Sequence, residues 1–267
     1  MENLAKEIKL YNQYSTSEKW VDWYAKVLPF KAQRTIKILR GYKDANAELL
    51  DVGCSTGLTL GFIAKVFSHT MGVDIDSQAI VIARKRFSKM GLKTKFFVYD
   101  GKTLPLKDKS VDIITSIEVF EHVDNPEVML KEINRVLKSS GILHITTANK
   151  FWPVEPHFHL PFLSYLPIIL ADFYVRVMKR GRGYGGIKLP TYGQFYRMVA
   201  RYFEIEDITL EVIKNYQKFG MEKERGRIVI YVARILRFLD KIKLSKLTNN
   251  LFLNVSLGWL FVCRPKK

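Results

Sequence analysis

Between residues 46 and 150 the chain reads as an α/β fold, a doubly wound parallel sheet with helices on both faces. Three observations predict it. Short apolar runs alternate with helix-like stretches. The first run ends in a glycine loop. Acids recur at the ends of the runs that follow. Right-handed crossovers between such strands gather their carboxyl ends along one edge, where sheets of this kind bind ligands.

The elements follow in order. At 267 residues, 48% of them hydrophobic, the chain is long and apolar enough for one large domain or a core with an accessory lobe, which excludes global disorder. Residues 1–45 read as a helical cap. Within it "STSEKWVDWYAKVL" offers a capping residue and then apolar positions at helical spacing, and "PFKAQRTIKILRGYK" starts at Pro29 and stops near Gly41. The core, 46–150, opens with the strand "AELLDVG" and the helix "TGLTLGFIAKVF". The strand "TMGVDID" precedes the helix "SQAIVIARKRFSKMG", with Ser77 as its cap and Gly91 as its stop. Strands "KTKFFVYD" and "SVDIITSIEV", the helix "NPEVMLKEINRVLK" and the strand "GILHITTAN" complete it. The pattern then loosens into a lid insertion at 151–202, led by the proline- and histidine-rich loop "NKFWPVEPHFHLPF" and closed by the helix "TYGQFYRMVARYF". The remainder, 203–267, reads as a strand "FEIEDITLEVI", a basic amphipathic helix "RGRIVIYVARILRFLDKIK" and a final strand "LGWLFVCRPKK".

Charge and cysteines narrow the setting. The net charge is +17, from 23 Lys and Arg against 17 Asp and Glu up to residue 150 and 20 against 9 beyond it. Such a surplus draws nucleic acid, an anionic membrane face or a phosphorylated substrate, or it belongs to a plain basic protein. Two cysteines, Cys54 and Cys263, make neither a disulfide framework nor a thiolate metal cage, which fits a reducing, cytoplasmic setting. The opening "MENLAKEIKLYNQYS" lacks the apolar core of a signal peptide. No apolar run reaches the roughly 20 residues of a spanning helix. Leu160–Val175, interrupted by Pro161, Pro167 and Asp172, reads as a buried or interfacial element.

The loops carry the chemistry. In "LLDVGCSTG", Gly53 permits a tight turn close to a ligand and Gly57 permits close packing where the next helix begins. No Gly-Lys-Ser/Thr follows, so this is not a P-loop, and Ser55 stands where a dinucleotide fingerprint has its middle glycine. Asp74, ending the second strand, can accept hydrogen bonds from a ribose diol, and Asp76 can cap the next helix. Asp100, ending the third, can accept from an adenine amino group. Each acid alone could be an ordinary loop or cap residue. Together, at successive strand ends, they point to a nucleoside.

These stretches, with "YDGKTLPLKDKSVDIITSIEVFEHV" and "LKSSGILHITTAN", resemble the class I S-adenosylmethionine-dependent methyltransferases over roughly residues 46–150. The resemblance implies a Rossmann-like sheet of seven strands with the last antiparallel, and S-adenosyl-L-methionine as cofactor. It implies that Asp51 and the Gly53–Gly57 loop, with Cys54 and Ser55, hold the methionine end. Asp74 would bind the ribose, Ile75, Asp100 and Gly101 would frame the adenine, and Glu118 would line the sulfonium side. Ser55 departs from the commoner glycine.

The acceptor is less determined. An oxygen acceptor needs a base or a metal in addition to alignment with the methyl group. In "EVFEH", Glu118, Glu121 and His122 share a face if helical. Some relatives with similar sets, including methylases of quinone precursors and of small RNA ends, use a metal, but the pattern is common without one. The reading therefore assigns no metal and keeps His122 as a catalytic candidate. His157 and His159 would point the same way in extended backbone, and each is a candidate base as well as a loop-holding residue. Pro153, Pro156 and Pro161 stiffen their loop, and Phe151, Trp152, Phe158 and Phe162 can exclude water. An Asn/Asp-Pro-Pro-aromatic loop for nucleobase amines is missing, and neither cysteine suits carbon methylation of cytosine. "PFLSYLPIILADFYVRVMKR" and the basic amphipathic helix hint at a lipid surface. Quinone-precursor methylases are similar in carrying a lipid-facing insert after the fifth strand. The expected activity is methyl transfer to a small or lipid-linked acceptor, at oxygen. An RNA methyltransferase and a non-catalytic cofactor-binding scaffold at a membrane are the alternatives.

Overall fold

A computed structural model describes Ile8 and residues 18–266. The helix α1 (Glu18–Arg40) precedes β1 (Glu48–Val52), α2 (Leu58–Ile63), β2 (His69–Asp74), α3 (Ser77–Lys89), β3 (Thr94–Val98) and β4 (Val111–Ile117). Next come α4 (Pro126–Val136), β5 (Leu137–Ala148) and a two-stranded ribbon of β6 (Val154–Glu155) and β7 (Leu160–Pro161). The chain continues through α5 (Ile168–Val177) and α6 (Tyr192–Ala200), the segment expected to form a lid, to β8 (Phe203–Asp207). Helices α7 (Thr209–Lys214), α8 (Tyr216–Phe219), α9 (Met221–Arg225), α10 (Ile228–Lys241) and α11 (Ser245–Asn254) lead to β9 (Gly258–Pro265).

The strands form one sheet in the order β3-β2-β1-β4-β5-β9-β8. Strands β1 to β5 are parallel, and β9 runs antiparallel to both neighbours. This is the seven-stranded arrangement expected from the sequence. Period-two alternation divides the core between the two faces. Leu49, Ile113 and Val262 join one apolar cluster, and their chain neighbours Leu50, Ile114, Phe261 and Cys263 join the other. The chain leaves β1 toward β2 and β3, then returns to β4 on the other side. The topological switch therefore falls between β1 and β4.

Several elements differ from expectation. The helix anticipated from Pro29 is the second half of α1, which runs through Pro29 unbroken. Ala25, Leu28, Ala32 and Leu39 are buried along it, and it packs against α2 and α9. That packing outweighs the ~3 kcal/mol that an interior proline costs. The cap suggested ahead of α1, at residues 15–17, lies outside the described residues. Asp76, not Ser77, caps α3, accepting from the N–H groups of Gln78 (2.8 Å) and Ala79 (3.1 Å). Gly91, at φ +65°, ends that helix as expected. The strand anticipated over "FEIEDITLEVI" stops at Asp207, whose carboxylate accepts from Thr209 N at 3.0 Å and starts α7. Helix α11 had no sequence reading. Among the described residues, no helix is long and apolar enough to cross a membrane.

Candidate active site

At the switch point the strand ends open into a cleft of about 1020 Å³. Single-ligand pockets span ~300–1,000 Å³, so there is room for a cofactor and an acceptor together. Its floor is the loop after β1. Gly53 sits at φ +74°, and a Cβ there would lie 2.6 Å from Val119 Cγ2, so backbone conformation and space both require glycine. Gly53 N and Cys54 N donate to Val73 O, tying the loop to β2. Ser55 also has a positive φ, 48°, which identifies the turn that the commoner glycine would ease.

Three acids ring this end. Asp51 is buried, accepts from Thr115 Oγ1 at 2.6 Å, and is pushed up to about 7 by loss of solvent. Asp74 accepts from Ser55 N (2.7 Å) and Asp76 N (2.9 Å), which pins the loop while its remaining lone pairs still face the cleft. Burial raises its pKa. Asp100 accepts from Thr103 N and Lys102 N, and these hold its pKa down. Ile75 is 66% exposed and lines the same wall.

The opposite end is built from side chains of distant segments. Lys31, on α1, bridges to Glu118 Oε1 at 2.6 Å. Burial works against ionisation of Glu118, but the Lys31 ammonium outweighs it and, with Arg225 and His157, holds the carboxyl down at about 2. Tyr24, two turns earlier on α1, lines the cleft. Beyond Glu118 a single 3₁₀ turn, Phe120–His122, presents Glu121 and His122. Glu118 itself has φ +56° and lies outside that turn, so the three do not share a helical face as the spacing suggested. Glu121 is buried and accepts from Thr147 Oγ1 at 2.8 Å.

The lid adds the last members. Residues 156–159 form the turn between β6 and β7, where His159 N donates to Glu155 O and His159 adopts φ +53°. This is not extended backbone, so the two histidines diverge. His157 packs edge-on against His122, ring centroids 5.0 Å apart, whereas His159 packs edge-on against Trp23 and does not line the cleft. Glu155 is 0% exposed and organises the turn. It accepts from His157 N (2.8 Å), Phe158 N (2.7 Å) and His157 Nδ1 (2.6 Å). Burial alone would lower the pKa of His157, but the Glu155 carboxylate overrides it and raises it. Burial pushes His122 down to about 4, and His157 adds to the shift.

Asp51, Gly53, Cys54, Ser55, Asp74, Ile75, Asp100, Gly101, Glu118, His122 and His157 all line the cleft. Gly57 does not. It sits at φ +72°, and a Cβ there would meet Phe87 at 2.8 Å, so it serves the packing of α2 on α3. Sequence reasoning missed Glu155, Lys31 and Tyr24. Glu155 had a signal, two residues before His157 in a proline-bounded loop. Lys31 and Tyr24 had none. A cation could also be held here. Glu121, His122 and His157 each offer a ligand atom, all within 4.8 Å of one another, and Glu121 Oε1 is buried with no hydrogen-bond partner among the described residues. One carboxylate and two imidazoles suit a divalent transition metal.

A family model described as "Methyltransferase domain" matches residues 50–145. A ubiquinone biosynthesis O-methyltransferase of Pelagibacter ubique is 33% identical over 105 residues, 39% of this chain and 43% of that protein. One from Bartonella quintana is 29% identical over 136 residues, 51% of each. The chain thus spans about half the length, or less, of these relatives. A solved structure of a Pyrococcus horikoshii protein aligns over 98% of this chain and 99% of its own, with a TM-score of 0.53 and 16% identity, a likeness of fold.

Proposed function

We propose, for a chain that carries a class I S-adenosylmethionine-dependent methyltransferase domain, that it transfers a methyl group from S-adenosylmethionine to a hydroxyl oxygen of a small or lipid-linked acceptor. The observation that carries this reading is the pair of a buried Glu155 and a half-buried His157 across one cleft from the glycine loop and its acids. The relatives named O-methyltransferases support oxygen as the acceptor atom.

Bound at the glycine loop, S-adenosylmethionine supplies a methyl carbon made electrophilic by its sulfonium. Asp51 receives the amino end, Asp74 the ribose, and Ile75 with Asp100 and Gly101 the adenine. Glu155 takes the Nδ1 proton of His157 as a hydrogen bond and so fixes the ring. Nε2 would then be the nitrogen placed to accept the acceptor's hydroxyl proton as the new oxygen–carbon bond forms, while the methyl's bond to the sulfonium breaks and its electron pair stays on the sulfur as a neutral thioether. Tyr24 and the lid exclude water from that end. Methyl transfer from labelled cofactor into separated lipid, small-molecule, RNA and protein pools tests the reading. Label should enter the lipid or small-molecule pool. Label confined to RNA or protein overturns it.

Glu121 Oε1, which has no hydrogen-bond partner among the described residues, favours a second reading of the same chemistry. A divalent cation on Glu121, His122 and His157 would lower the pKa of the acceptor hydroxyl in place of a histidine base. Chelation separates the two. A full rate after chelation leaves His157 as the base, and a lost rate restored by Mn²⁺ or Zn²⁺ supports the cation.

A further inference from the structure

The C-terminal helices carry a surface that the proposed reaction does not use. On α10, Val229, Ala233 and Leu236 are buried against the core. Away from them Ile228, Tyr231, Ile235, Phe238 and Ile242 are all exposed, Phe238 at 59%. Their spacing of three, four, three and four residues lays them on one stripe. Helix α11 has no buried residue at all, and Leu247 (79% exposed), Leu251 and Val255 continue one apolar face along it at four-residue steps. Exposed apolar surface of this extent, rimmed by charge, marks an interaction face.

The rim identifies the partner. Arg227, Arg234 and Lys241 follow one another at seven-residue steps and so line a single flank of the stripe. Lys243 and Lys246 extend the basic character across the α10–α11 turn. Between residues 227 and 247 the one acid is Asp240, and Lys214 engages it at 2.9 Å. Two copies meeting through this face would bring like charges together. Nucleic acid would use the basic flank and leave the aliphatic stripe in water. An anionic lipid surface uses both, with the stripe among the acyl chains and the flank among the headgroups.

We propose that the α10–α11 face docks this protein on an anionic membrane surface, with α10 lying in the interface. The proposal does not rest on the reaction above. The test is co-sedimentation of the full chain with vesicles of phosphatidylglycerol mixed with phosphatidylcholine, against phosphatidylcholine alone. The expected result is binding to the mixed vesicles, weakened about tenfold or more by Ile235→Asp or Phe238→Asp. Replacing Arg227, Arg234 and Lys241 by Gln should remove the preference for anionic vesicles, roughly fivefold per residue. Cofactor binding, measured by calorimetry, reports that each variant is folded. No binding by the unaltered chain, or binding that the aspartate variants leave unchanged, overturns the proposal. So does a dimer in sedimentation velocity that Phe238→Asp dissociates, because the face would then belong to a second copy. Vesicle binding without methyl transfer to any pool would sink the proposed reaction and leave this proposal standing.

Discussion

The two ends of the cleft are made by different means. At the glycine end the contacts belong to the backbone and to short acids at successive strand termini, all between Asp51 and Gly101. At the lid end they belong to long side chains from four segments: Lys31 on α1, Glu118 to His122 after β4, Thr147 on β5, and Glu155 with His157 in the lid. The first end is a property of chain path, so a side chain can be exchanged there only where the path allows it. The second is a property of packing, so one substitution can redraw it while the sheet stays intact. One sheet can thus keep its glycine end constant while its lid end varies.

Five substitutions put that contrast at risk. The largest effect belongs to Gly53→Ala. The added methyl meets Val119 at 2.6 Å in a left-handed backbone. Cofactor binding by calorimetry should fall more than about 100-fold, with ~2–5 kcal/mol lost in denaturant unfolding. Near-normal binding would mean that the loop path is not the determinant. At the other end, His157→Ala should slow methyl transfer ~10²–10⁴-fold and leave the cofactor Kd within about twofold. Glu155→Gln should do the same more weakly, about tenfold, and cost ~1–3 kcal/mol because the buried N–H donors that Glu155 serves lose one of its acceptor oxygens. A parallel loss of cofactor affinity in either variant would erase the distinction between the ends.

Asp51→Asn is intermediate. Burial raises the folded carboxyl to about 7, so the ionised form is the disfavoured one below that pH. A cationic amino group on the ligand favours the ionised form. Cofactor affinity should therefore rise with pH up to about 7, by as much as tenfold per unit, and level off above it. The Asn variant should bind about tenfold more weakly at neutral pH with a flat profile. A sloping profile in the variant would assign the titration elsewhere. The smallest effect is that of His159→Ala. Its ring rests on Trp23 outside the cleft, and transfer rates should stay within about threefold of the unaltered chain.

The same contrast governs what could be read before the structure. The alternation of strands and helices over 46–150, the glycine loop and the strand-end acids were legible because each is set by neighbours in the chain. Val52 to Gly57 announces its turn by its own glycines, although Val73 and Asp74 then tie it to β2. The passage of α1 through Pro29 was not legible, because tertiary burial of Ala25, Leu28 and Ala32 overrides a local signal. The divergence of His157 from His159 was hidden for the opposite reason. Two short strands, Val154–Glu155 and Leu160–Pro161, pair and force a turn that no residue spacing announces. "TLEVI" has the β-branched content of a strand, yet Asp207 begins a helix there and Leu210 and Val212 turn into the core. The link from Lys31 to Glu118 spans 87 positions and leaves no trace in composition.

The place of β9 has a consequence for the order in which the molecule can be made. Among the described residues strand β8 pairs with nothing but β9, and β5 keeps one edge open until β9 fills it. During synthesis the lid and five helices emerge between β5 and that strand. The five parallel strands with the glycine loop can assemble on the ribosome, while β8 waits as an unpaired ribbon. Completion then comes as a single insertion that seals both edges, with Phe261 O accepting from His144 Nδ1 at the centre of the seam. A nascent chain halted before Gly258 would hold the half of the molecule with the glycine loop and present a raw β5 edge to any other chain nearby.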